Sequence, residues 1–93
     1  MNIPVEIIEQ IEEEDLGRSL EWLCNFVASL GHDRPFTLQV LRGMWFDGYI
    51  EVVNHAGEEI PQQTCKQIFY SHVHFTDERV IATDRGLTWA YYG

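Results

Sequence analysis

Cys65, His72 and His74 are the residues whose types and spacing come nearest to a metal site. Two histidines two positions apart on a strand project from one face, and a cysteine seven residues earlier adds a second donor type. Zinc requires three or four such ligands at about 2.0–2.3 Å. The other donors, His32, His55, Cys24 and the surface acids, fall in no paired C-x-x-C spacing, so no metal is expected. Cysteine nucleophiles need a base and an orienting group as well as an accessible thiol. Cys24 lies within an apolar helical stripe and reads as a small core residue. Cys65 sits in polar sequence, open to solvent as far as pattern shows, with no neighbour that would lower its pKa. A nucleophile elbow, a phosphate-cradling glycine loop and a paired metal motif are all absent. The expectation is a non-enzymatic chain without a cofactor.

Two other clusters point to binding. Glu6, Glu9, Glu12, Glu13, Glu14 and Asp15 place six of fifteen acids in the first fifteen residues, where no basic residue occurs. Such a run solvates a helix face, and it also steers a basic partner. At the other end, Trp89, Tyr91 and Tyr92 crowd the last residues, where complete burial is difficult. An apolar patch on a small domain marks an interface. Glu9, Glu12, Glu13, Trp89, Tyr91 and Tyr92 are therefore the candidate contact residues.

The periodicity supplies the elements that must carry these groups. Ile3, Val5, Ile7, Ile8 and Ile11 recur at helical spacing, which predicts a first helix over about 3–14 with Pro4 in its first turn. Asp15 or Ser19 caps a second helix with an apolar stripe of Leu16, Leu20, Leu23, Cys24, Val27 and Leu30, and Gly31 ends it. A third runs over about 35–46, with Leu38, Leu41 and Trp45 on one face. Asp47 and Gly48 close it. From Tyr49 to Val53 the residues turn β-branched or aromatic and predict a strand. Residues 54–63 read as a loop, and alternation over 68–75 predicts a second strand. Arg79 to Ala82 forms a third, and Thr83 or Asp84 caps a short last helix. Trp22 and Trp45 are expected in the core.

At 93 residues and 45% apolar, with 12 aromatics, the chain suffices for one domain over 1–93 and one core. No window approaches the roughly 20 apolar residues of a membrane span, and acids stand where a signal peptide carries Lys or Arg. A cytoplasmic protein with reduced thiols and no membrane association is expected. Six basic residues against fifteen acids give a net charge of −9, and the six form no cluster. Polyanion binding depends on such clusters, so nucleic acid is disfavoured as a partner.

The segment from Leu20 to Gly31 (LEWLCNFVASLG), followed by Val40 to Val52 (VLRGMWFDGYIEV) and Ile81 to Leu87 (IATDRGL), resembles a winged helix-turn-helix domain across roughly residues 16–90. The resemblance implies an α+β fold: three helices, then a small antiparallel sheet of two or three strands, then a short carboxyl-terminal helix. It also implies dimerisation through terminal helices. In such regulators the third helix reads DNA with Arg, Lys, Asn or Gln. This chain offers only Gln39 and Arg42 there, with Arg34 and Arg79 for phosphates, while Glu58, Glu59, Asp77 and Glu78 oppose Lys66 in the segment that would form the wing. The expected function is a protein-interaction module that binds a protein partner or itself. The alternative is a sequence-specific DNA-binding regulator using Arg34, Gln39, Arg42 and Arg79.

Overall fold

The computed structural model describes residues 2–71 and 78–93. Over these residues the chain is α+β. Five helices surround a three-stranded antiparallel sheet in the order α1 (Ile3–Glu12), β1 (Arg18–Ser19), α2 (Leu20–Ser29), α3 (Arg34–Phe46), β2 (Ile50–Val53), α4 (Gln62–Ser71), β3 (Arg79–Ala82) and α5 (Asp84–Tyr92). β3 lies between β1 and β2, pairing Arg18 with Val80 and Val52 with Val80 across its two edges.

The helices start where local chemistry satisfies their free amides. Asn2, Ser19, Asp33 and Thr83 each accept a hydrogen bond from a backbone N–H three residues on, the usual capping geometry. Ser19, not Asp15, caps α2. Glu13, Glu14 and Asp15 lie beyond the end of α1, and Leu16, expected in the stripe of α2, is 61% exposed in the turn before β1. That turn needs Gly17: its φ is +73°, and a Cβ there would collide with the Val80 carbonyl oxygen and stand 2.9 Å from Ile81 Cγ2. Gly17 thus lets the chain pass close over β3 and add β1 to the sheet. Two residues are too few to show a strand period, which is why β1 is not legible from pattern.

The larger correction concerns residues 62–71. The loop expected over 54–63 gives way to helix at Gln62, and the strand expected from Ile68 is the carboxyl-terminal half of that same helix. Cys65, Ile68 and Phe69 are buried at spacings of three and four, so the helical period accounts for the apolar residues that alternation had claimed. Phe, Tyr and Ile favour strands in isolation, and packing against α3 overrides that preference. The remainder of the expected strand, with His72 and His74, lies outside the described residues. Cys65 is buried rather than open to solvent.

One core joins all layers: Ile7, Ile8 and Ile11 of α1, Leu20, Leu23 and Val27 of α2, Leu38 and Leu41 of α3, Val52 and Val80 of the sheet, and Phe69 of α4. Trp22 and Trp45 are half-buried against it rather than enclosed. Trp22 stacks on Phe26 at 5.6 Å under the Arg18 guanidinium, and Trp45 meets Phe69 at 5.6 Å. Buried Thr37 donates its hydroxyl hydrogen to the Asp33 carbonyl. No helix among the described residues is long and apolar enough to cross a membrane.

Candidate functional site

The acidic run and the aromatic terminus, separated by some 75 positions in the chain, meet in space. α1 buries Ile7, Ile8 and Ile11, so helical spacing leaves Glu9 and Glu12 on its outer face, with Glu13 at its end; all three are exposed. α5 packs beside α1. Tyr91 is 51% exposed there, and its phenol is held above its ordinary pKa by desolvation and then by Glu9, Glu12 and Glu13. The packing of α5 beside α1 puts these carboxylates and the tyrosine on neighbouring elements of one face. Tyr92 follows at 89% exposure.

Trp89 belongs elsewhere. Two helical residues turn the direction by about 200°, so Trp89 leaves α5 on the side away from Tyr91. It stacks on Tyr49 with centroids 4.7 Å apart and planes 7° from parallel, and is half-buried. Thr83 fixes this arrangement. Its hydroxyl accepts from Gly86 N–H at 3.0 Å and donates to the Gly48 carbonyl at 2.6 Å, while its N–H donates to the Tyr49 carbonyl at 3.1 Å. The acids are also unequal in availability. Arg18 lies 3.6 Å from Glu13 and 3.4 Å from Glu14 and donates Nε–H to the Gln10 carbonyl, so Glu9 and Glu12 are the more open to an outside cation.

The four residues of the DNA-reading alternative do not form a set. Arg34 is ion-paired with Glu21 at 2.6 Å. Arg42 places its guanidinium 4.8 Å from the centre of the Tyr70 ring, tying α3 to α4. Arg79 donates to the Leu16 and Gly17 carbonyls at 3.0 and 3.1 Å, holding the turn over β3. Gln39 is exposed on α3. The insertion of α4 thus covers one flank of the helix that would enter a groove.

Both thiols are buried. Burial pushes Cys24 above the ordinary thiol pKa, with Arg34 opposing and Glu21 assisting; burial does the same to Cys65, assisted by Glu59. Among the described residues no three His, Cys, Asp or Glu side chains converge on a point where a metal ion would sit.

A second surface escaped the sequence pattern. An open groove of about 470 Å³ runs along the opposite flank of α3 from α4, with Phe36, Val40, Gly43 and Met44 on one wall and Tyr49 and Trp89 on the other. Phe46, outside the groove lining, is 79% exposed on α3. The groove's trace in the sequence is a helix with no acid between Arg34 and Phe46, carrying Gln39, Gly43 and Phe46 on its outer face.

No family model matches this chain, and neither the curated proteins nor the solved structures contain a match to it.

Proposed function

We propose that this chain is a non-enzymatic protein-interaction module on a winged-helix-like scaffold, whose α1 and α5 surface docks a basic segment of a partner protein in the cytoplasm. The observation that carries the reading is that α5, with Tyr91 and Tyr92 exposed, packs beside α1, whose outer face and end expose Glu9, Glu12 and Glu13. Carboxylates beside exposed aromatic rings suit Lys and Arg, whose charged heads pair with the acids while their stems, or a guanidinium plane, lie on the rings. The scaffold assignment is supported by the junction at Gly48, where α3 passes into β2 within three residues, and Tyr49 N–H donates to the Met44 carbonyl at 2.9 Å. Free Cys24 and Cys65 agree with a reducing compartment.

Against DNA reading stand the net charge of −9 and the engagement of Arg34, Arg42 and Arg79 within the fold. The test is fluorescence anisotropy with two labelled probes at low salt: a Lys/Arg-rich peptide and a mixed-sequence DNA duplex. The peptide is expected to bind in a salt-sensitive manner, and the triple variant Glu9→Lys, Glu12→Lys, Glu13→Lys to lose at least tenfold in affinity. The duplex is expected not to bind. Peptide binding indifferent to the charge reversal would refute the surface. Duplex binding that Arg42→Ala weakens by ~1–3 kcal/mol would install the DNA regulator in its place.

A further inference from the structure

We infer that the groove along α3 is a binding site for a small amphipathic amine, whose elongated apolar body lies along the helix with its cationic head at Asp47. The site is on the side of α5 that carries Trp89, away from Tyr91, and does not depend on the basic-partner reading.

Two residues of the groove are poor choices for the fold alone. Gly43 stands inside a 13-residue helix, where glycine is weaker than alanine. Nothing lies within 4 Å of where its Cβ would stand, so no neighbour in the folded chain requires a glycine there. Asp47 closes the same helix at its carboxyl end, where the backbone dipoles favour a cation over an anion. No Lys or Arg stands in the last turn of α3, and among the described residues no ion pair holds the Asp47 carboxylate. Both residues line the groove: Gly43 hollows its α3 wall and Asp47 brings a negative charge to its end. Local choices that weaken a fold without a packing reason, gathered at one cavity, mark a functional site.

The geometry sets the shape of the ligand. At about 100° per residue, Phe36, Val40, Gly43 and Asp47 fall within about 60° of one another around α3, a straight stripe about 16 Å long at 1.5 Å per residue. Apart from Gln39, the α3 wall above Asp47 is apolar, and Tyr49 and Trp89, stacked 4.7 Å apart, form the other wall. The groove's volume of about 470 Å³ lies within the roughly 300–1,000 Å³ of small-molecule sites, which likewise combine apolar walls with a few placed polar groups.

Charge sets the rest. Asp47 is the one charged residue among the described residues lining the groove, so the matching ligand has one positive head and an apolar body that displaces water from Phe36, Val40 and the two rings. A polyamine would lay further cations on the apolar wall. An anion would meet both Asp47 and the field of a chain of −9. The aromatic wall tolerates a cation: Arg85, from the neighbouring hollow, places its guanidinium 5.5 Å from the centre of the Tyr49 ring.

Proton–nitrogen magnetic resonance of the whole chain, titrated with three probes of one body and different heads, tests this: phenylbutylamine, phenylbutanol and phenylbutyrate. The amine is expected to shift the amides of residues 36–49 and the Trp89 indole, the alcohol to shift the same set with about fivefold weaker affinity, and the carboxylate to bind least. Asp47→Asn keeps the shape and removes the charge, and is expected to bring the amine down to the affinity of the alcohol while leaving the alcohol unchanged. Gly43→Leu fills the hollow from an open position and is expected to weaken both probes with the circular dichroism spectrum unchanged. An amine that leaves residues 36–49 unshifted at millimolar concentration overturns the inference. So does an amine that binds no better than the alcohol, or equally well to Asp47→Asn, since the groove then takes neutral apolar matter. Amine shifts confined to residues 6–15 would place the cation on the acidic run, and groove shifts that appear on concentrating the free chain would give the groove to a second copy; either result also overturns it.

Discussion

Gly43 and Gly86 are both helical glycines, and replacing each by alanine should move stability in opposite directions. In α3, Gly43 has open space where a Cβ would stand, so Gly43→Ala gains the helix propensity of alanine and should stabilise the monomer by roughly 0.5–1 kcal/mol. In α5, a Cβ on Gly86 would collide with the Tyr49 carbonyl oxygen and lie 2.9 Å from the Tyr49 carbonyl carbon and 3.1 Å from its Cα. These are backbone atoms at the start of β2, so the helix must move. Moving it strains the Thr83 N–H bond to Tyr49, the Thr83 hydroxyl bond to Gly48 and the Tyr49–Trp89 stack. At about 0.5–1.5 kcal/mol for each of the three, less the propensity gain, Gly86→Ala should destabilise by roughly 0.5–4 kcal/mol. Urea unfolding followed by far-ultraviolet circular dichroism at low micromolar concentration reads both values, with equal slopes showing that the same surface unfolds. A Gly86→Ala protein as stable as the wild type would refute the claim that close backbone approach holds α5 on the sheet. A destabilised Gly43→Ala monomer would show that the face is not open.

Thr83→Ala should cost about 1–3 kcal/mol in the same assay, because one hydroxyl caps α5 and bonds to Gly48, and Thr83→Ser should recover most of it. The raised thiol pKa of Cys24 and Cys65 means that the folded chain holds those protons more tightly than the unfolded chain. Stability is then constant below the ordinary thiol range and falls as pH rises through that range toward the folded values, a slope that Cys24→Ala with Cys65→Ala should flatten. In the native state both thiols should react with a disulfide reagent far more slowly than a free thiol, and a fast-reacting thiol would contradict the burial. The Tyr91 phenol should titrate above its ordinary value, and replacing Glu9, Glu12 and Glu13 by Gln should lower it, while burial keeps part of the shift; carbon-13 tyrosine magnetic resonance resolves the ring.

The helices α1, α2, α3 and α5 and the strands β2 and β3 were legible in the sequence, because their signals are local. Asn2, Ser19, Asp33 and Thr83 cap through side chains three residues from their partners, and Ile7, Ile8 and Ile11 repeat at the helical period. α4 was misread at its boundary because residues 68–70 satisfy alternation as well as helical spacing, and only the burial of Cys65 with Ile68 and Phe69 against α3 decides between them. The candidate acids and tyrosines were legible as two clusters, though not as one surface. The sequence determined the charge, the core composition, most element types and the scarcity of bases on the third helix. Tertiary structure alone decided that β1 joins the sheet through Gly17, that Trp89 turns to Tyr49 while Tyr91 stays exposed on a helix packed beside α1, that Arg34, Arg42 and Arg79 are spent inside the fold, and that a groove opens beside Gly43. The division follows from range: caps and periodicities act over three or four residues and are written along the chain, whereas these contacts join residues that only the packed core brings within a few ångströms of each other.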